Sequence, residues 1–193
     1  MACALTSGRS VPCKSAFGGI KEIKFANFGT IASITVASDT KEATIVDEVA
    51  PNAPVWFAYP VKGNSSLETS VTSSRENGTT FYTQTLNLTL PFLDAKTNAE
   101  LYQIAISRPY AVVVDYYGNE FLCGLNNGME MTGGTIVTGA AAGDLSGFTL
   151  TMEGMEANAP WFLIPGQAAI DAATTVIDPT PTGTPPVPVT TTP

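Results

Sequence analysis

The sequence has no histidine, only three cysteines, and no lysine or arginine beyond Arg108. Without an imidazole there is no Ser-His-Asp or Cys-His nucleophile pair, no His-ligated metal and no imidazole general base. The cysteines, Cys3, Cys13 and Cys123, are odd in number and form no C-x-x-C pair, which points to free thiols in a reducing compartment. A Cys3–Cys13 bridge stays open as the lesser alternative. Long apolar runs are also missing. Ala111–Val114 and Trp161–Ile164 fall far short of the ~20 residues a spanning helix needs, so no membrane segment is expected. The stretch Met1–Arg9 has no apolar core of a signal peptide. The sequons at Asn64, Asn77 and Asn87 are accordingly read as coincidence.

Charge is scarce as well. Charged residues make up 13% of the total, against roughly 25% in an average soluble domain. A surface so poor in charge is expected to be covered largely by neighbouring copies of the same protein. The net charge of −8 is unevenly placed. Residues 1–108 hold all nine bases and nine acids, and eight acids follow with no base. Arg9, Lys14, Lys21 and Lys24 face the single acid Glu22 within the first 24 residues. A basic head and an acidic rear suit head-to-tail stacking of identical subunits. Such a protein is not built to grip phosphate, since affinity for nucleic acid comes mainly from Lys and Arg. It suits a surface past which DNA slides without sticking.

What remains offers little chemistry. Gly118 and Gly124 lack the Gly-Lys-Ser/Thr ending of a phosphate loop, Gly139 and Gly143 lack a strand-then-helix setting, and Gly133-Gly134 reads as a loop. Glu153 and Glu156, three residues apart on a strand, project to opposite faces and do not converge as a glycosidase pair would. Asp144 reads as a turn residue without an acidic cluster for calcium. Cys123 reads as a small buried apolar residue. No catalytic residue, metal or cofactor is expected.

The pattern is that of a mainly β domain. Ile23 and Phe25 alternate with Glu22 and Lys24 in a half-buried strand over Ile20–Phe28, and Ile31–Ala37 continues in kind. Val55–Tyr59 is an aromatic strand between prolines. Leu67–Ser74 and Thr80–Leu90 form a long hairpin around Arg75-Glu76-Asn77-Gly78-Thr79, where Asn-Gly accepts the positive φ of a tight turn. Its second arm sends Leu86, Leu88 and Leu90 to one face, and Thr83, Thr85, Asn87 and Thr89 to the other. The first face is core; the second is polar but uncharged. Pro91 stops that strand, and Asp94 caps a helix running to about Ser107, with Leu101, Ile104 and Ala105 on its buried stripe. Ala111–Tyr116 and Glu120–Leu125 pair around Tyr117-Gly118-Asn119. Met129–Thr132, Thr135–Val137 and Phe148–Glu156 complete the strands. Pro54-Val55-Trp56-Phe57 and Pro160-Trp161-Phe162 echo one another and would fit equivalent corners of a two-sheet sandwich, or chance. An arm (residues 1–19) thus precedes a β domain (20–165). An Ala-rich segment, a linker or a short helix over Gly166–Asp178, and a Pro/Thr-rich tail follow (166–193), in which six Pro and six Thr among residues 179–193 predict an extended or disordered segment.

The order of these elements resembles the major tail tube proteins of long-tailed bacteriophages over roughly residues 5–162. The resemblance is carried by Phe17-Gly18-Gly19-Ile20 entering the first strand and by the hairpin tipped with Arg75-Glu76-Asn77-Gly78-Thr79. It continues through one helix after Pro91, Arg108-Pro109-Tyr110-Ala111-Val112-Val113-Val114-Asp115, and the run from Gly143-Asp144 to Glu156. It implies an antiparallel β-sandwich or barrel flanked by one helix, six copies closing into a ring, and rings stacking into a hollow tube through which double-stranded DNA passes. It implies assembly in the host cytoplasm, a place in the virion tail and contacts with other tail proteins, without a membrane. Thr83, Thr85, Asn87 and Thr89 are then candidates for the channel lining. Arg9, Lys14, Lys21, Lys24, Arg75, Glu76 and Asn77 are candidates for ring-to-ring contacts. Two other readings share the β-rich pattern: a neck, terminator or capsid decoration protein, and a secreted adhesin or carbohydrate-binding module.

Overall fold

The computed structural model describes residues 8–9, 17–47, 54–61 and 64–166. Cys3, Cys13, Lys14, the Pro/Thr-rich tail and all but Gly166 of the Ala-rich linker lie outside the described residues. In order the described residues form β1 (Ile20–Ala26), β2 (Ile31–Val36), β3 (Ala43–Asp47), β4 (Phe57–Pro60), β5 (Ser66–Ser74), β6 (Thr79–Pro91), α1 (Ala95–Ile106), β7 (Tyr110–Asp115), β8 (Glu120–Cys123), β9 (Glu130–Val137), β10 (Gly147–Glu156) and β11 (Trp161–Leu163). The strands make two sheets. The larger has the order β2-β3-β11-β8-β7-β1-β4 and the smaller β5-β6-β10-β9. All pairings are antiparallel except a single parallel contact, Leu163 with Ala43. Among the described residues the fold is thus the mainly β, two-sheet, one-helix arrangement that the patterning predicts.

The larger sheet is strongly curled, and its connectivity requires it. β1 and β2 are joined by residues 27–30, yet β7, β8, β11 and β3 lie between them in the sheet. Five strand spacings in a flat sheet amount to roughly 24 Å, whereas five residue steps reach at most about 18 Å. The sheet therefore bends so that β2 returns toward β1. The turn between them is fastened at Tyr110: Gly29 N–H donates to the Tyr110 hydroxyl at 3.1 Å, and the Phe28 ring lies 5.0 Å from the Tyr110 ring.

Curling gives the molecule two cores. One fills the space between the sheets and beneath α1, with Ile23, Phe25, Val113 and Cys123 facing Leu86, Leu88, Phe148, Leu150 and Met152. The other lies within the bend of the larger sheet, where Trp56, Val112, Val114, Leu122 and Leu163 pack with Ile31 and Ile45. β1 and β7 are consequently buried on both faces. This corrects the half-buried reading of β1: Lys24 is interior, its ammonium 3.5 Å from the Glu120 carboxylate, with side chains 9% and 7% exposed. The two Trp segments are also corrected. Both enter the larger sheet, as β4 and β11, and both indoles meet the same core, so they do not mark equivalent corners of two sheets.

Other differences have local causes. Gly133-Gly134 is strand, within β9, where Gly133 pairs with Thr151 and Gly134 with Leu150. A Cβ on Gly134 would stand 2.9 Å from the Thr149 carbonyl oxygen, so glycine there permits close strand approach instead of breaking the strand. α1 is capped as expected, with Asp94 accepting from the Lys96 and Thr97 N–H groups at 3.1 Å. Its buried stripe is only Leu101 and Ile104; Ala105 is exposed, because the helix rests at the rim of the core. β4 starts two residues later than expected and ends on Pro60, which an edge strand tolerates. β3 and β11 complete the larger sheet beyond the strands expected.

Two buried polar side chains tie the sheets together. Gln84 accepts from Gly124 N–H at 3.0 Å and donates to the Asn158 carbonyl at 3.3 Å. Glu156 accepts from the Asn126 and Asn127 N–H groups at 2.9 and 2.8 Å and from the Asn126 amide at 2.8 Å. A buried carboxylate persists only with such donors, and here they fix the β8–β9 turn to the end of β10.

Candidate assembly surface

The side of the smaller sheet turned away from the core gathers the residues of interest, because directly opposed residues on neighbouring strands share a face. The strand registers line up four rows across it. Ser70, Thr83 and Met155 form one; Glu68, Thr85, Glu153 and Glu130 the next; Ser66, Asn87, Thr151 and Gly133 the third; Thr89, Thr149 and Thr135 the fourth. The expected set Thr83, Thr85, Asn87 and Thr89 therefore does occupy one face, opposite the buried Leu86, Leu88 and Leu90. Hydrogen bonds knit its side chains. Thr151 donates to Asn87 Oδ1 at 3.0 Å, the Thr135 and Thr149 hydroxyls lie 2.6 Å apart, and the Thr89 hydroxyl donates to the Asn64 carbonyl at 3.0 Å.

Three carboxylates on this face escape a reading of β6 alone. Glu68, Glu153 and Glu130 come from three different strands and fall in one row only when the register is known. The polar alternation of Thr149, Thr151 and Glu153 in β10 is the available signal. Glu153 and Glu130 stand directly opposite each other, an arrangement that costs stability by like-charge repulsion. Arg108 approaches Glu130 from the border at 3.9 Å, and no lysine or arginine lies on the rows themselves.

Both borders of this sheet are open. β5 is nine residues long and β9 eight, and each pairs on one side only. Proteins commonly blunt such edges with lysine, proline or short strands. Neither β5 nor β9 contains lysine or proline, although each carries one glutamate, Glu68 and Glu130, and the β9 pairing with β10 bulges between Thr151 and Met152. Each leaves a large apolar side chain in solvent, Val71 at 58% and Ile136 at 64% exposure.

The candidate ring contacts separate into groups. Arg75, Glu76 and Asn77 are exposed together at the tip of the β5–β6 hairpin. That hairpin projects, since β10 pairs with β6 only as far as Tyr82, and residues 72–81 have no third strand. Arg9 and Lys21 are exposed. Lys24 is removed from the set of surface contacts by its burial against Glu120.

Two grooves among the described residues bring no acid and base together. The larger, about 570 Å³ between β5 and the larger sheet, has Asp115 as its one carboxylate. Asp115 receives the Tyr117 and Asn119 N–H groups at 2.8 Å and the Asn119 amide at 2.7 Å, so it serves its own turn. Asp144 likewise accepts from the Ala141 and Ala140 N–H groups, which lower its pKa. Among the described residues no three His, Cys, Asp or Glu side chains are grouped to hold a metal ion, and no helix is long and apolar enough to cross a membrane. Compared with known proteins, the sequence and its fold match no family model, no curated protein and no solved structure.

Proposed function

We propose that this protein is a structural subunit that polymerises through its smaller sheet into a hollow tube, the tail tube of a bacteriophage virion. The observation that carries the reading is one sheet with two long edges, each paired on one side only and free of lysine and proline, and an outward face rich in Ser, Thr, Asn and Glu without a base. The strands of that sheet alternate in direction and are even in number. A copy related by rotation therefore offers its β5 antiparallel to the β9 of its neighbour, and the ladder continues from copy to copy. Repeated around an axis, this contact is head-to-tail and closes a ring. Closure also removes every open edge of the sheet.

Six copies, the number implied by the resemblance, would place twenty-four strands around the axis, four from each. Barrels of about 16–18 strands already enclose an aqueous channel. With the polar face inward, the lining would be hydroxyls, amides and a circle of carboxylates. Such a wall repels phosphate and gives DNA no cation to hold it, in keeping with passage of double-stranded DNA without binding. The projecting β5–β6 hairpin, with Arg75, Glu76 and Asn77 at its tip, would reach the adjacent ring. A two-stranded ribbon is marginal in water and gains from such a seat.

Electron microscopy of the purified full-length protein tests this directly. Open-ended hollow tubes are expected. Closed rings that never stack favour the neck, terminator or decoration reading, and a monomer that binds glycans favours the adhesin reading.

A further inference from the structure

Two Asn-Gly steps occur in the sequence, Asn77-Gly78 and Asn127-Gly128, and the fold places them in opposite circumstances. An asparagine followed by glycine is open to attack on its side-chain carbonyl by the next backbone nitrogen, because glycine has no Cβ to obstruct the approach. The reaction needs an asparagine side chain free to swing over that nitrogen, a nitrogen not engaged in a hydrogen bond, and a backbone free to adjust.

Asn77-Gly78 meets all three conditions. Both residues are exposed at the tip of the projecting hairpin. The one bond there is from Asn77 N–H to the Ser74 hydroxyl at 3.3 Å. Among the described residues neither the Asn77 amide nor the Gly78 N–H has a hydrogen-bond partner. Around Gly78 nothing lies within 4 Å of where a Cβ would stand. Asn127-Gly128 fails all three. The Asn127 amide donates to the Met155 carbonyl at 2.6 Å, its N–H donates to Glu156 at 2.8 Å, and Gly128 N–H donates to the Gly124 carbonyl at 2.9 Å. The Arg108 carbonyl oxygen lies 2.5 Å from the place of a Gly128 Cβ.

We propose that Asn77 is a site of spontaneous deamidation and isomerisation, and that the fold holds Asn127 inert despite the same local sequence. The Gly78 nitrogen gives its proton to solvent and bonds to Asn77 Cγ. The Cγ–Nδ2 bond breaks, and the amide leaves as ammonia after taking a proton from solvent. The resulting cyclic imide is opened by water. Breaking the new Cγ–N bond leaves aspartate, and breaking the original peptide bond between Asn77 and Gly78 leaves isoaspartate. No electron transfer occurs, and water is the only co-reactant. The product carries a new carboxylate beside Glu76, turning the balanced Arg75–Glu76 tip net negative. In the isoaspartyl form the turn also gains a backbone methylene. This chemistry is independent of the assembly reading, since it belongs to the unassembled protein.

Peptide mapping by mass spectrometry, after incubation of the purified full-length protein at mildly alkaline pH, provides the test. The peptide containing Asn77 should lose its amide and split into aspartyl and isoaspartyl forms, while the peptide containing Asn127 keeps its amide. Asn77→Gln should abolish the product. In urea both steps should convert, since only the fold distinguishes them. An Asn77 that keeps its amide in the folded protein while the urea-unfolded protein converts would overturn the proposal, as would equal conversion of both steps in the folded protein. An Asn127 that resists conversion in urea would overturn the fold as its protector.

Discussion

Lys24 and Glu120 place a full ion pair inside the bend of the larger sheet, where water is excluded. The Gly166 N–H also donates to the Glu120 oxygen facing Lys24, at 3.2 Å, while the other oxygen is buried with no hydrogen-bond partner among the described residues. Removing one charge from such a pair strands the other in a poor solvent. Lys24→Met should therefore destabilise by about 3–5 kcal/mol, whereas Lys24→Met with Glu120→Leu should recover most of the loss. Urea unfolding of the three proteins checks both values. Cys123 is a second interior group with a measurable signature. Burial first, and the Glu156 carboxylate second, push its thiol pKa up to about 12 from an ordinary 9.0. Below pH 9 the thiol is neutral in both folded and unfolded states, and its contribution is fully present. As pH rises from 9 toward 12 the unfolded state gains by ionising, so stability falls across that window. Thiol reagents at pH 8 should leave Cys123 unlabelled until the protein is unfolded.

At the scale of elements, much is legible in the sequence because local chemistry coincides with the final structure. The Leu86-Leu88-Leu90 alternation, the Asn77-Gly78 turn and the Asp94 cap each act through neighbours a few residues away, and each appears where expected. What escapes depends on register and on second layers. Lys24 reads as a surface residue until the larger sheet bends over it. Gly133-Gly134 reads as a break until β10 supplies the partner that needs close approach. Ala43–Asp47 shows no clean alternation, because Ile45 and Val46 are adjacent apolar residues, and Trp161–Leu163 is too short to show any period. The acidic row of Glu68, Glu153 and Glu130 is invisible in one dimension, since its members come from β5, β10 and β9. The open edges belong to this scale as well. A charge at an edge opposes strand addition while leaving an exposed site otherwise undisturbed. Val71→Lys and Ile136→Lys should each block ring closure without lowering the monomer's thermal midpoint appreciably. Sedimentation velocity, with circular dichroism as the fold control, separates the two effects.

Across the whole molecule, the two sheets have different duties. The larger one curls around its own core and packs its other face against the smaller sheet, so both of its faces serve cohesion. The smaller one buries a single face and leaves two edges and a polar face exposed, the surfaces that the proposed tube would use between copies. Charge is divided along the sequence in the same spirit, with every base at or before Arg108 and an excess of acids after it. If that division aligns rings head to tail, reversing the basic end should loosen their stacking. Lys14→Glu with Lys21→Glu is expected to give shorter tubes or single rings from a protein with an unchanged fold. Normal-length tubes in electron micrographs would remove charge as the stacking force.

In the proposed tube, copies join edge to edge through β5 and β9, with the Thr and Glu face of the smaller sheet inward. A cryo-electron reconstruction of the assembled protein measures this directly. A continuous antiparallel barrel is expected, its lumen lined by Thr83, Thr85, Asn87, Thr89, Glu68 and Glu153. An assembly that turns this face outward, or leaves β5 and β9 unpaired, would contradict it.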